Sequence, residues 1–168
     1  MTPLFLPRST DISANARSLR VESLPLAVEV SWAHRAGICR TLEGAMPYCA
    51  GDAIVTGVAG ESWPVRADVF ARTYQACAPT AAGEDGRYHK RVLACVALRL
   101  ESAVQLEMNA MGTVLNGNPG DWLLQYEPCR HGIVRPDIFE RTYRVLGAVW
   151  TRCAAPRSNS GWPVAPMP

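Results

Sequence analysis

The sequence predicts an α+β fold, mainly antiparallel β, made of two tandem β-rich repeats that each end in a short helix and are related by a pseudo-two-fold. Three observations carry this expectation. Residues 120–143 (GDWLLQYEPCRHGIVRPDIFERTY) match residues 51–74 (GDAIVTGVAGESWPVRADVFARTY) without a gap: the Gly, Asp, Val, Arg, Asp, Phe, Arg, Thr and Tyr of one recur in the other. Ahead of each copy, apolar residues alternate as strands do, at Leu26, Val28, Val30 and Trp32, and at Val96, Leu98 and Leu100. At each copy's end, Phe70 and Tyr74, and Phe139 and Tyr143, stand four apart, the spacing of one helix face.

Residues 1–22 show no sustained period and carry Pro3 and Pro7, so they read as a flexible arm with a short helix through 12–19. A single domain over 23–150 follows, its repeats spanning about 24–79 and 91–148. The alternating strand opens each repeat, and shorter strands follow around 38–42, 103–106 and 113–115. Both middles end in turn chemistry, Ala50-Gly51-Asp52 and Asn118-Pro119-Gly120-Asp121. Residues 53–56 and 122–126 are strands by composition, and each returns through a glycine-bearing turn to make a β-hairpin. Pro64 has no N–H for a ladder, which puts its strand at a sheet edge. Asp68 and Asp137 stand where a carboxylate caps a helix start, and Pro136 suits the first turn. Residues 80–90 read as a linker broken by Gly83 and Gly86. The proline- and serine-rich residues 151–168 read as a disordered tail.

Composition narrows the function classes. Repeats of about 70 residues would be marginal alone, so a shared core is expected. A net charge of +2 argues against a nucleic-acid partner, and the chain lacks an apolar run of membrane-spanning length. With no basic, apolar leader at the N-terminus, the cytoplasm is the expected location. Six cysteines occur, none at equivalent positions in the two copies and none in a CxxC pair, which points to reduced, packed thiols and to no metal site.

The run Gln125-Tyr126-Glu127-Pro128, followed by Gly132-Ile133-Val134, resembles the PGDYG protein family, a bacterial group to which no reaction is attached. The family's naming turn falls at 128–132, where Pro128 and Gly132 keep its outer residues and Cys129, Arg130 and His131 replace its interior. Pro119-Gly120-Asp121-Trp122 and the stretch 83–91 extend the resemblance to about residues 25–146. The ending RPDIFERTY is also similar to that of small phage-encoded proteins. The resemblance implies the fold unit and brings no catalytic residues with it.

Cys129, Arg130 and His131 form the most reactive-looking cluster, since an adjacent cation lowers a thiol pKa. They sit at a hairpin tip, however, and read as an exposed turn. The paired carboxylates Asp52/Asp121 and Asp68/Asp137 have turn and capping roles, and His34 and His89 have no motif partners. Arg66 and Arg135 are repeated and precede free helical N–H groups, where an anion can be held. Trp63 and Trp122 offer flat surfaces beside them, and Arg87, Tyr88 and Lys90 mix cations with an aromatic. No nucleotide-loop, metalloprotease or nucleophile-elbow motif occurs. The sequence thus predicts no catalytic residues, metal or cofactor. It predicts a binding protein that recognises a protein partner or an anionic, nucleotide-like small molecule through a duplicated surface, with homo-oligomerisation open. The alternative is a small enzyme acting on a nucleotide or other phosphate compound, using Cys129 and His131 or the repeated aspartates.

Overall fold

Strand pairing organises the computed structural model, which describes residues 2–149. The tail at 151–168, with Cys153, lies outside the described residues. Two strands come first, β1 (Leu4–Leu6) and β2 (Leu19–Ser23). The first half continues with β3 (Ala27–Trp32), β4 (Gly37–Arg40), β5 (Ala45–Tyr48), β6 (Ala53–Thr56), β7 (Ser62–Val65), helix α1 (Ala67–Thr73) and β8 (Tyr74–Ala76). The second half runs β9 (Gly86–Lys90), β10 (Ala94–Arg99), β11 (Val104–Glu107), β12 (Val114–Gly117), β13 (Trp122–Glu127), β14 (Arg130–Val134), α2 (Pro136–Thr142) and β15 (Tyr143–Ala148). The architecture is α+β, mostly antiparallel sheet with two short helices.

Two five-stranded sheets dominate, ordered β7-β6-β3-β9-β8 and β14-β13-β10-β2-β15. Their cores correspond in kind. In the first, Val30, Val55, Phe70, Tyr74 and Tyr88 pack together; in the second, Val21, Leu124, Phe139 and Tyr143 do so. The helical spacing delivers its stack in both, with Phe70 on Tyr74 at 4.6 Å and Phe139 on Tyr143 at 5.3 Å between ring centroids. A smaller β1-β11-β12 sheet and the β4-β5 hairpin complete the fold. Pro64 lies in β7, an edge strand, as its missing donor requires.

Local chemistry explains the turns that lead into the hairpins. Gly51 (φ 89°) and Gly120 (φ 96°) take the left-handed conformation there. The aspartate that follows each closes the turn: Asp52 Oδ2 accepts the Cys49 N–H and Asp121 Oδ2 the Asn118 N–H, both at 2.8 Å.

Three sequence expectations are corrected. Residues 1–22 are no loose arm. β2 lies between β10 and β15, Val21 has no exposed surface, and residues 12–18 form turns and loop leading into Leu19 of β2 instead of a helix. The strand hid because of its three core-side residues, Leu19, Val21 and Ser23, only Val21 is a fully buried hydrophobic, while Arg20 and Glu22 point the other way. The linker 80–90 contains β9, which lies between β3 and β8. Its one fully inward residue is Tyr88, so its composition looks polar. Finally, Asp68 and Asp137 make no side-chain cap; Arg66 and Arg135 occupy the cap positions, and the carboxylates pair with them instead.

Each large sheet is thus completed by a strand from the start of the other half of the sequence. β2, just before β3, pairs in the second sheet; β9, just before β10, pairs in the first.

Candidate functional site

A cleft of about 250 Å³ opens where the two large sheets approach each other. Its walls are mainly apolar. Leu26, Val28 and Trp63 come from the first sheet's side, and Ile133, Val134 and Ile138 from the second's. Its polar side chains are fewer: Lys90, Tyr126, Tyr143 and His131, the carboxylates Glu43 and Glu61, and the hydroxyls of Ser62 and Thr142. A largely apolar cleft with a few convergent polar groups is the usual form of a small-molecule site.

Lys90 ends β9, a strand paired on both edges, and stands opposite Tyr74 in the β8–β9 ladder. Strand period two puts it on the same side as buried Tyr88, away from Arg87 and His89. Its ammonium donates to Tyr143 Oη at 3.1 Å, and that hydroxyl lies 3.1 Å from Tyr126 Oη. The nitrogen is also 5.4 Å from the Tyr126 ring centroid and 5.2 Å from that of Tyr143, within cation–π range. Among the described residues, no carboxylate forms a salt bridge with it.

Burial is the main cause of the altered acidities here. It lowers Lys90 to about 8, with the Arg130 guanidinium acting in the same direction and Cys95 opposing. It raises Tyr126 to about 12 and Tyr143 well above the usual phenol value, so both hydroxyls stay protonated at neutral pH. Glu43 is raised by burial and further by the Asp121 and Glu61 carboxylates. His131 is lowered by burial against the pull of the Thr10 backbone and Asp11, and is uncharged at neutral pH. Its Nε2 is buried without a hydrogen-bond partner among the described residues.

The residues singled out from sequence separate into two groups. Trp63 and Lys90 line the cleft. Arg66 and Arg135 are exposed and bind their own aspartates, with Arg66 Nε 3.1 Å from Asp68 Oδ1 and Arg135 Nε 3.2 Å from Asp137 Oδ1. Neither lines the cleft, and each stands before a helix of seven residues, whose summed dipole is small. Trp122 stacks on Phe139 at 4.2 Å in the core. Tyr88 is buried, with its hydroxyl against the carbonyls of Ala81 and Glu84. Arg87 is exposed beside Glu29 at 3.7 Å.

The exposed-turn reading of Cys129 and His131 is corrected for His131 alone. Cys129 is exposed at φ 59°, whereas His131 is buried, so the two turn apart across the hairpin tip. The thiol–imidazole contact instead joins Cys77 Sγ and His89 Nδ1 at 3.4 Å. Tyr126, Tyr143 and Glu43 were missed from sequence. One signal was available: Lys90 is the only lysine, every other one of the 17 Lys and Arg residues being arginine.

No helix of the described residues is long and apolar enough to cross a membrane. No curated protein and no solved structure matches the chain. A protein-family model described as PGDYG protein matches residues 44–144, a span that includes Trp63, Lys90, Tyr126, His131 and Tyr143 of the cleft but not Leu24, Leu26, Val28, Leu42 or Glu43. That match covers more than half of the sequence, and the chain belongs to the PGDYG protein family.

Proposed function

We propose that the protein binds a small, largely apolar molecule bearing an anionic head, with Lys90 as the anchor. One observation carries this reading: a half-buried ammonium on a mainly apolar cleft has tyrosine hydroxyls and rings against it and, among the described residues, no carboxylate within salt-bridge distance, although Glu43 and Glu61 line the cleft elsewhere. An unpaired buried charge is costly, and a ligand anion would offset that cost. A volume of about 250 Å³ exceeds the roughly 150 Å³ cavity that holds benzene and falls near the lower end of ordinary ligand pockets. It suits a substituted single ring or a short acyl chain. On this reading the exposed Arg66 and Arg135 contribute little.

The reading extends to the architecture. We infer that residues 24–79 and 91–148 are copies of one unit about a pseudo-two-fold, and that the ligand lies where the copies meet. Trp63 and Tyr143 then serve the same cleft from opposite copies. Sequestration of a small anionic signal, as a phage-encoded protein would perform, is the biological role that this form of binding suits.

Titration with benzoate, hexanoate and phenyl phosphate, followed by thermal shift and calorimetry, tests the reading against the neutral benzamide and hexanol. The anions should raise Tm and the neutral compounds should not. The effect should be lost in Lys90→Met and kept in Arg66→Ala. Equal binding of benzoate and benzamide, or full anion binding by Lys90→Met, would overturn it.

A further inference from the structure

We propose that Lys90 captures the carbonyl group of a small aldehyde or ketone in the cleft as an imine. This rests on the reading of the cleft as a small-molecule site and names a reactive class of ligand for it. The geometry supplies each requirement. The amine is fixed at the end of a strand paired on both sides and opens on a mainly apolar space large enough for a single ring. Tyr143 Oη, at 3.1 Å, is the amine's hydrogen-bond partner, and Tyr126 Oη lies 3.1 Å beyond it. Among the described residues no carboxylate forms a salt bridge with the nitrogen, and the positive neighbour Arg130 together with burial makes the free amine more accessible than that of a solvated lysine.

The step balances without an oxidant or reductant. The nitrogen lone pair forms a C–N bond to the carbonyl carbon, and the C=O π pair moves onto oxygen. The Nζ–H already points at Tyr143 Oη, so that hydroxyl takes the nitrogen's proton and gives its own to the carbinolamine oxygen. As the C–O bond breaks, a second proton passes from nitrogen to the departing hydroxyl by the same Tyr143 relay, the nitrogen lone pair forming the C=N bond. One water departs, a C=N bond remains, and Tyr143 ends protonated as it began. Tyr126, bonded to Tyr143, is a positioning residue for that hydroxyl. Glu43, Glu61 and His131 also line the cleft, but none of them is an electrostatic neighbour that shifts Lys90.

Because the chain has one lysine, the experiment is clean. The full-length protein is incubated with benzaldehyde or hexanal and sodium cyanoborohydride, and adducts are located by peptide mass spectrometry. Lys90 should be alkylated at least about tenfold faster than in the urea-unfolded chain, with a rate that saturates in aldehyde and falls when benzoate is added. Tyr143→Phe should slow the reaction by about 10- to 100-fold, while Tyr126→Phe slows it less. Alkylation confined to the N-terminal amine, or a Lys90 rate equal to that of the unfolded chain, would overturn the proposal. Benzoate binding is measured on the same wild-type sample. Binding without a Lys90 adduct sinks imine capture alone, whereas neither binding nor adduct sinks the cleft reading too. Lys90→Arg, which keeps the cation, should bind benzoate and form no adduct.

Discussion

Lys90 carries the functional argument at the scale of the residue, and its acidity is open to measurement. Its folded pKa of about 8 lies below the ordinary 10.5, so the unfolded chain binds more protons between those values. Folding stability from this group therefore rises with pH across that window and is flat below it. Other groups act oppositely: burial raises Cys95 from 9.0 to about 11, and the buried tyrosines are raised above 10. Their folded pKa values exceed the unfolded ones, so they remove stability as pH climbs past about 9. Comparison with Lys90→Met cancels them. Urea denaturation from pH 7 to 9 should find wild type gaining on Lys90→Met as pH rises, and a pH-independent difference would refute a depressed Lys90. The residue sat in plain view, yet Arg87-Tyr88-His89-Lys90-Arg91 reads as a solvated basic run when charges are counted. Strand alternation separates it, with Tyr88 and Lys90 on one side and Arg87 and His89 on the other. The repeated arginines have a surface explanation that the sequence did not show: an aspartate two residues on pairs with each, and such exposed pairs contribute about 1 kcal/mol or less.

Among the elements, hairpins and helices were legible because their signals are local. Gly51-Asp52 and Gly120-Asp121 set turns through φ and a side-chain hydrogen bond, and Phe and Tyr four apart set the helix faces. Strands β2 and β9 were not legible, because their identity comes from neighbours distant in sequence. β2 has one fully buried apolar residue, Val21, yet its backbone pairs along both edges. Such a strand needs little hydrophobicity of its own when β10 and β15 supply the apolar surroundings. Truncation separates the two views of the N-terminus. Removal of residues 2–6 deletes β1, an edge strand whose Leu4 and Phe5 are exposed, and should cost no more than about 1–2 kcal/mol in urea denaturation. Removal of residues 2–23 opens the middle of a sheet and bares two strand edges, and should abolish the cooperative transition and yield insoluble protein. A soluble, cooperatively folding chain lacking 2–23 would restore the loose-arm view.

For the whole molecule, the crossed placement of β2 and β9 has a mechanical consequence. A chain cut in the loop at 83–85 gives one piece with β1 to β8 and another with β9 to β15. The first piece keeps β3 but loses β9, so β8 has no sheet to join. The second keeps β10 and β15 but loses the strand that holds them together. Neither piece retains a complete five-stranded sheet, and small domains with incomplete cores are rarely stable. The interlock also joins distant parts of the chain, as in the Tyr143–Ser23 and Leu4–Val104 pairs, so loop closure has to precede much of the stabilising contact. Each fragment alone should therefore lack a cooperative melt and dispersed amide resonances. Mixed at equal concentration, the two should regain both, along with benzoate binding at the cleft that lies between the sheets. Lys90 travels on the second fragment, while Trp63 and Glu43 travel on the first. Binding by the second fragment alone would show that the cleft belongs to one sheet. Independent folding of either fragment would show that the crossed strands add stability without being required for the fold.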